Sequence, residues 1–460
     1  MRPPDQTESS VELPPRDHPM PHAEEAGTHV TTLPPIDGGK DAWLALASAF
    51  VLEALVWGFP FSFGIFQTYY STHEPFANEK EGIAAISTTA TAIMFLSSPF
   101  VALFVQRWPH LRLPSGLCGL GVVVAGLVAA SYCNSTSGLL ATQGVLFAVG
   151  GLFLYFPAFS VIDQWFVARK GLAFGVVWTG TGVSGAIVPW VSQWLLDRYG
   201  FRTTLRVWAV VFVVLGLPCP FLLKARIPSR ARHTRVRPVD WSFLKQPAFW
   251  WFEMGVILQS LAYFLPSLWV KLSRVLQGSD VLTSSPRWIP SFSASIGLPS
   301  FSGPLALCLL NLAACGGYLI QGKLVDHYHV TTIILLATGI STVAILIFWG
   351  LTNNQAMLYI FAILWGLSGG GFAATWAGCT AAIQKSCRSL DAGLVMSLLC
   401  AGKGVGSVLT GPISEKLLQV QPWHGAAFAY GGEYGAVIVF TGITAVAGGC
   451  ACIGRILHML

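Results

Sequence analysis

The chain has 460 residues, of which 53% are hydrophobic and only 10% charged. Ordinary soluble domains carry about 25% charged residues, so a water-facing surface around a protein of this size is excluded, and lipid is the solvent that such a surface tolerates. The formal net charge of +6 decides little by its size; its placement along the chain decides more.

Residues 1–36 are polar and rich in proline, with no apolar h-region of the kind a cleavable signal needs. They read as a disordered cytosolic tail, and the first apolar run then acts as an uncleaved insertion signal. A spanning helix needs about 20 mostly apolar residues. Twelve stretches qualify: 42–66, 83–106, 115–133, 139–163, 172–196, 203–223, 249–270, 305–325, 331–350, 356–382, 392–418 and 430–454. Each is continuously apolar rather than alternating, which favours helices over a β-barrel. The 48 glycines concentrate in these runs, where small residues let helix backbones approach closely.

With the N-terminus placed in the cytosol, 18 of the 27 basic residues fall in inner segments, seven in outer segments and two, Arg206 and Lys403, within spans. That bias predicts that both termini are cytosolic. The basic segment 225–248 separates an N-terminal six-helix bundle at 37–224 from a C-terminal one at 249–460. Such a 6 + 6 division suits a transporter built from two repeats. One stretch fits badly. Residues 270–287 are polar and sit between flanks that look continuous, Leu265 to Trp269 and Trp288 to Phe292. They read either as a long outer loop or as an insertion retained from an unspliced intron.

The 10 cysteines lie mostly inside apolar runs, with no C-x-x-C pair and no Cys/His cluster at zinc spacing. Gly402-Lys403-Gly404 lacks the spacing of a phosphate loop, and Gly366 to Gly371 follows no strand. No nucleophile–His–acid arrangement stands out. The reading is therefore no metal, no cofactor, no nucleic-acid partner and no enzymatic activity. Asn134-Ser135-Thr136 is a formal glycosylation sequon, but its loop is short and close to the membrane.

Two sets of residues resemble the monocarboxylate porter-like branch of the major facilitator superfamily, in its fungal form. The first is Asp37-Gly38-Gly39 followed by Trp43. The second is Trp165-Phe166-Val167-Ala168-Arg169-Lys170-Gly171 with Gly175, Gly180, Gly182 and Gly185. Trp165 stands where many members have Tyr. Gly402 to Gly406 leading to Gly411-Pro412 is a third likeness. The resemblance implies an all-α membrane protein of twelve transmembrane helices in two six-helix bundles. From the residues alone, Asp37 reads as a cap for the helix that follows it, Arg169 and Lys170 as positive-inside anchors, and the glycines as a packing face. The superfamily's Gly-x-x-x-Asp-Arg gate motif has a recognisable second copy at Gly322 to His327, including Asp326. The first copy is degraded to Gln106-Arg107-Trp108.

Charges within a span cost about 2.5–3.5 kcal/mol at the bilayer centre on insertion scales, so they point to a cavity or a partner. Glu53 lies near the middle of the first span and Lys403 near the middle of the eleventh. Glu53 reads as a proton-coupling site and Lys403 as an attractor of anionic substrate, against the plainer readings of a buried ion pair or a snorkelling Lys. The eighth span lacks the Arg that the resemblance implies. Tyr318 stands at or beside that place and Asn311 lies above it, so a hydrogen-bonding site for a larger, less polar acid is expected. Trp57, Tyr155, Tyr263, Trp365 and Trp376 are candidate cavity aromatics.

These residues describe a secondary active transporter of a small organic acid or related metabolite, working by alternating access with proton coupling. Its partners are that substrate, protons and the bilayer, and the plasma membrane is the expected location, with an internal membrane as the alternative. Two other functions remain open: export of a fungal secondary metabolite, and a non-transporting sensor on the same fold.

Overall fold

The computed structural model describes residues 33–77, 80–227, 241–267, 293, 297–299, 301–386, 392–420, 422–423 and 428–457. The tail at 1–32, the middle of the basic segment at 228–240 and the polar stretch 270–287 lie outside the described residues. Among those described, every regular element is a helix: α1 (Lys40–Thr72), α2 (Lys80–Leu96), α3 (Ser98–Arg107), α4 (Arg112–Ala130), α5 (Thr136–Leu139), α6 (Phe147–Trp165), α7 (Lys170–Gly216), α8 (Pro218–Leu222), α9 (Pro247–Ser267), α10 (Ser302–His327), α11 (Val330–Val343), α12 (Gln355–Ser368), α13 (Trp376–Ser386), α14 (Ala392–Gln419), α15 (Gly435–Ala447) and α16 (Ala451–Ile456). Short π and 3₁₀ stretches join several of them.

Ten helical stretches among the described residues are long and apolar enough to cross a membrane. An eleventh forms if α2 and α3, bent by 40° at Ser97, count as one. One of the ten runs from Lys170 to Leu222, 53 residues. A straight helix of that length would be about 80 Å long at 1.5 Å per residue, against a hydrocarbon core of about 30 Å. It is not straight. Gly200 sits at φ 72°, ψ 172°, outside helical space, and breaks α7 into two arms. Only glycine adopts that backbone cheaply. The outward faces carry the large apolar side chains that lipid requires: Trp190, Trp194, Val210, Val214, Leu335 and Ile443 are all exposed.

Glycines let the central helices nearly touch. On α7, a β-carbon at Gly175 would meet the Tyr318 carbonyl of α10, and one at Gly180 would meet the Phe50 carbonyl of α1. The first arm of α7 is thus clamped between α1 and α10, which sets the depth of everything they carry.

The second device is a break between α12 and α13, where Gly370–Thr375 forms a 3₁₀ turn. A break in lipid must satisfy the carbonyls it frees. Here Gln321 Nε2 donates to the carbonyls of Leu367 (2.8 Å) and Ser368 (2.9 Å), and Gln259 Nε2 donates to that of Gly369 (2.9 Å). The turn delivers Trp376 as the first residue of α13. The far end of the basic segment is also ordered. Ser242–Lys245 forms a 3₁₀ turn with Phe243 fully buried, and Trp250 donates its indole N–H to the Leu244 carbonyl at 2.8 Å.

Replacing Gln321 with Leu strands two carbonyls at this break. A loss of about 1–3 kcal/mol is expected for unsatisfied buried groups. It is read as a lower unfolding midpoint of the detergent-solubilised protein, with Gln321→Glu closer to wild type at acid pH than at neutral pH.

Candidate functional site

The N-terminus of α7 is where three sequence motifs meet. The first turn of a helix leaves backbone N–H groups without intrahelical acceptors and carries the positive end of the helix dipole. The Asp326 carboxylate, at the end of α10, accepts from Gly171 N–H (2.6 Å) and Leu172 N–H (2.9 Å) of that turn. It works as a helix cap supplied by a residue 155 positions away. Gly322 packs its backbone against Gly171 one turn from Asp326, where any side chain would collide.

Asp37 serves the loop just before α7. Its carboxylate accepts from the N–H groups of Val167, Ala168 and Arg169, each at 3.0 Å, and its own N–H donates to the Trp165 carbonyl at 2.9 Å. Asp37 therefore does not cap the helix that follows it. That N-cap is Gly39, with no side-chain bond, at φ 94°. The reason is geometric: Asp37 is itself at φ 58°, in a turn that carries it across to the loop. Trp43 stacks edge-on against Phe166, with centroids 5.9 Å apart. Trp165 donates its indole N–H to the Lys224 carbonyl at 2.8 Å, and Lys224 reaches Asp41 at 3.4 Å. Lys170 pairs with Asp163. Partial burial pushes the Asp37 carboxyl up, but the three N–H donors and the Arg169 guanidinium outweigh it and hold it below its ordinary value.

Among the described residues, no carboxylate hydrogen bond of this kind joins α3 and α14. Gln106 stands in place of an acid, and its Oε1 has no hydrogen-bond partner. A cleft lined by Val105, Gln106, Arg112, Phe156, Ser160 and Gly393 lies there instead. Higher along this seam, Ser98 donates to the Ser397 carbonyl at 2.9 Å.

Glu53 and Lys403 both face the centre. Glu53 is 1% exposed; one carboxylate oxygen accepts from Thr181 Oγ1 at 3.0 Å, and the other has no partner. Lys403 interacts with Glu53 electrostatically but makes no ion pair within 4.0 Å among the described residues. Its ammonium lies instead over four rings: Tyr263 at 5.0 Å, Trp376 at 5.6 Å, Phe95 at 5.7 Å and Phe264 at 5.9 Å. From Phe95 the ring contacts continue to Trp57 (4.5 Å), Tyr155 (5.9 Å), Phe159 (5.6 Å), Trp178 (5.4 Å) and Trp376 (5.5 Å). They close a circuit that returns to Lys403. Cation–π contact of this kind stabilises an ammonium without neutralising it.

The other expected site residues divide. Tyr318 is buried and close enough to Tyr263 and Glu53 to interact with them electrostatically. Asn311 has its amide engaged in structure, donating to the carbonyls of Leu307 (3.0 Å) and Gly185 (3.4 Å). Asn134 accepts from Arg202 at 2.7 Å. Trp365 stacks on Phe361 in a separate run with Trp349. Arg206 sits over the Tyr132 ring and donates to Ser131. Two residues escaped the sequence reading. Trp178 completes the circuit. Glu253 of α9 lies against Gly402, with one carboxylate oxygen unpartnered. The signal for Glu253 was available, as an acid in an otherwise uncharged run.

With this geometry in hand, comparison with known proteins is informative. Residues 42–376 match the sequence model of the Major Facilitator Superfamily. The chain belongs to that superfamily. It is a multi-pass membrane transporter and not an enzyme. It is 26% identical over 415 residues to the MFS transporter asaE of Aspergillus flavus, covering 90% of this chain and 86% of the relative. It is 26% identical to the fujikurins efflux protein of Gibberella fujikuroi, covering 74% and 68%, and 25% identical to the agnestins efflux protein AgnL12 of Paecilomyces divaricatus, covering 81% of each. The crystal structure of the human organic anion transporter MFSD10 (TETRAN) superposes with a TM-score of 0.64 at 11% identity, covering 90% of this chain and all of that one. This last likeness concerns the fold.

The latch residues have distinct expected signatures. Asp37→Ala exposes the Val167–Arg169 amides, and their hydrogen exchange should accelerate at least tenfold. Asp326→Ala should do the same for Gly171 and Leu172. A carboxyl held below its ordinary value stabilises the docked state above the free-chain pKa and loses that contribution as pH falls through the lowered value. After correction for intrinsic exchange, wild-type protection at Val167–Arg169 should therefore be equal at pH 7 and pH 5.

Proposed function

We propose that this protein is a secondary active exporter that moves a small organic acid or related metabolite out of the cytosol by alternating access, with protons moving the other way. The observation that carries the reading is the central pair. Glu53 and Lys403, from opposite ends of the sequence, hold buried ionisable groups around one centre without neutralising each other. A carboxyl with one free oxygen can take and release a proton, and an ammonium over aromatic faces can hold an anion. Export rather than uptake is supported by the relatives whose names describe efflux.

The finer architecture belongs to the same reading. Splitting α7 at Gly200 and joining α2 to α3 gives twelve spans, in two sets of six on either side of segment 225–248. The docking of Asp37 and Trp43 on residues 165–169 gives both signatures one structural purpose, which supports the monocarboxylate porter-like branch. The excess of basic residues supports cytosolic termini, so the Asp37–Asp326 end faces the cytosol. With Asp326 on the α7 N-terminus, this face is latched. The plasma membrane is the proposed location.

The test is transport in proteoliposomes under an imposed pH gradient. Wild type should drive uphill movement of an organic anion. Glu53→Gln should abolish the uphill component while keeping downhill exchange, and Lys403→Ala should raise KM at least tenfold. Uphill transport by Glu53→Gln equal to wild type would remove Glu53 from coupling.

A further inference from the structure

The aromatic circuit around Lys403 has a chemical bias that follows from its polar atoms. Trp57 Nε1, Trp178 Nε1, Trp376 Nε1 and the Tyr155 hydroxyl are all buried, and none has a hydrogen-bond partner among the described residues. The Trp57 indole N–H lies toward the Tyr155 oxygen, a neighbour it can donate to, though outside ordinary hydrogen-bond geometry; among the described residues Trp178 and Trp376 have no such neighbour. The three indole N–H groups can only donate. Lys403 adds an ammonium, again donor only, with no hydrogen bond or ion pair among the described residues. Around one closed path of rings, the protein thus offers three indole donors, a phenol and a cation. Against these donors it sets Glu53, one oxygen of which receives Thr181 while the other accepts from none of them.

Buried donors left unpaired are costly, and a ligand that supplies acceptors recovers that cost on binding. The walls between the donors are faces and edges of aromatic rings, which favour a flat π-system. The centre is cationic on one side. A short aliphatic acid could answer Lys403 but could not reach indoles on α1, α7 and α13 together. A ligand rich in N–H groups would leave the same donors unanswered.

We propose that the circuit is a binding site for a planar aromatic anion carrying further oxygen acceptors, such as an aryl carboxylate with adjacent phenolic or carbonyl oxygens. This deepens the exporter reading and rests on it for the transport step, though not for the binding. The carboxylate meets Lys403, the ring system lies among Trp57, Trp178 and Trp376, and its other oxygens accept from the indoles and Tyr155. The site draws on α1, α6 and α7 from the first half of the chain and on α13 and α14 from the second. An occupied site therefore ties the two halves together.

The test uses the full chain in lipid nanodiscs with three probes: 1-hydroxy-2-naphthoate, cyclohexanecarboxylate and the uncharged 2-naphthalenemethanol. Binding is followed by calorimetry and by quenching of tryptophan fluorescence. The naphthoate should bind at least tenfold more tightly than either other probe. Trp178→Phe and Trp376→Phe keep a ring and remove an N–H, and each should lower the ratio of naphthoate to cyclohexanecarboxylate affinity at least threefold. Lys403→Gln should weaken both acids while leaving the alcohol within twofold of wild type. Thermal melting of each variant establishes that it is folded, and Trp365→Phe, outside the circuit, serves as the control that leaves the ratio unchanged. Equal affinity for the two acids, or a ratio unmoved by both indole variants, overturns the proposal. If proton-driven transport of cyclohexanecarboxylate persists in that case, the exporter reading stands and only the substrate class falls. If the naphthoate binds as expected but no organic anion moves, the binding site stands and the exporter reading falls.

Discussion

One carboxylate against one helix end organises this molecule. Asp326, from the second half of the chain, satisfies the first amides of α7, from the first half. A charged acceptor on backbone N–H groups is among the stronger single contacts a protein makes, and here it also sits at the positive pole of a long helix. Because α7 is pressed against α1 and α10 by glycine contacts, fixing its end fixes its whole first arm. Thr181 and Trp178 ride on that arm, and through them the position of Glu53 and the wall of the aromatic circuit. The capped end of α7 and the centre are therefore continuous along one helix.

The centre itself is built by compensation between broken and continuous helices. α13 begins in the right place because the 3₁₀ turn before it is bonded by Gln321 and Gln259. α14 runs unbroken and offers Gly402 and Gly404 on either side of Lys403, so that α9 and α2 can come close. The result is an ammonium surrounded by ring faces, with no carboxylate among the described residues within ion-pair distance. An ion pair there would be electrically finished. The aromatic arrangement keeps the charge available.

Composition was enough to read a helical membrane protein, because the physics of lipid leaves few choices: long apolar runs, backbone satisfied internally, glycine where helices cross. Glu53 and Lys403 were legible for the same reason, as charges where charge is expensive. Other features were hidden because they depend on long-range geometry. Asp37 looked like a local cap, yet its turn sends it 130 residues ahead to the loop before α7. Asn311 looked like a free hydrogen-bonding group, but its amide is engaged by Leu307 and Gly185. Trp178 had no local mark to distinguish it from other membrane tryptophans; only the packing of α7 against α13 gives it a role. The break at Gly200 was legible, since its non-helical backbone falls between the two apolar runs 172–196 and 203–223.

The unequal seams bear on how the protein responds to salt. Where α10 meets α7, a carboxylate binds backbone amides; where α3 meets α14, Gln106 and Arg112 line a cleft, and one tie among the described residues is a serine hydroxyl on a carbonyl. Dissolved ions weaken the first kind of closure and barely touch the second.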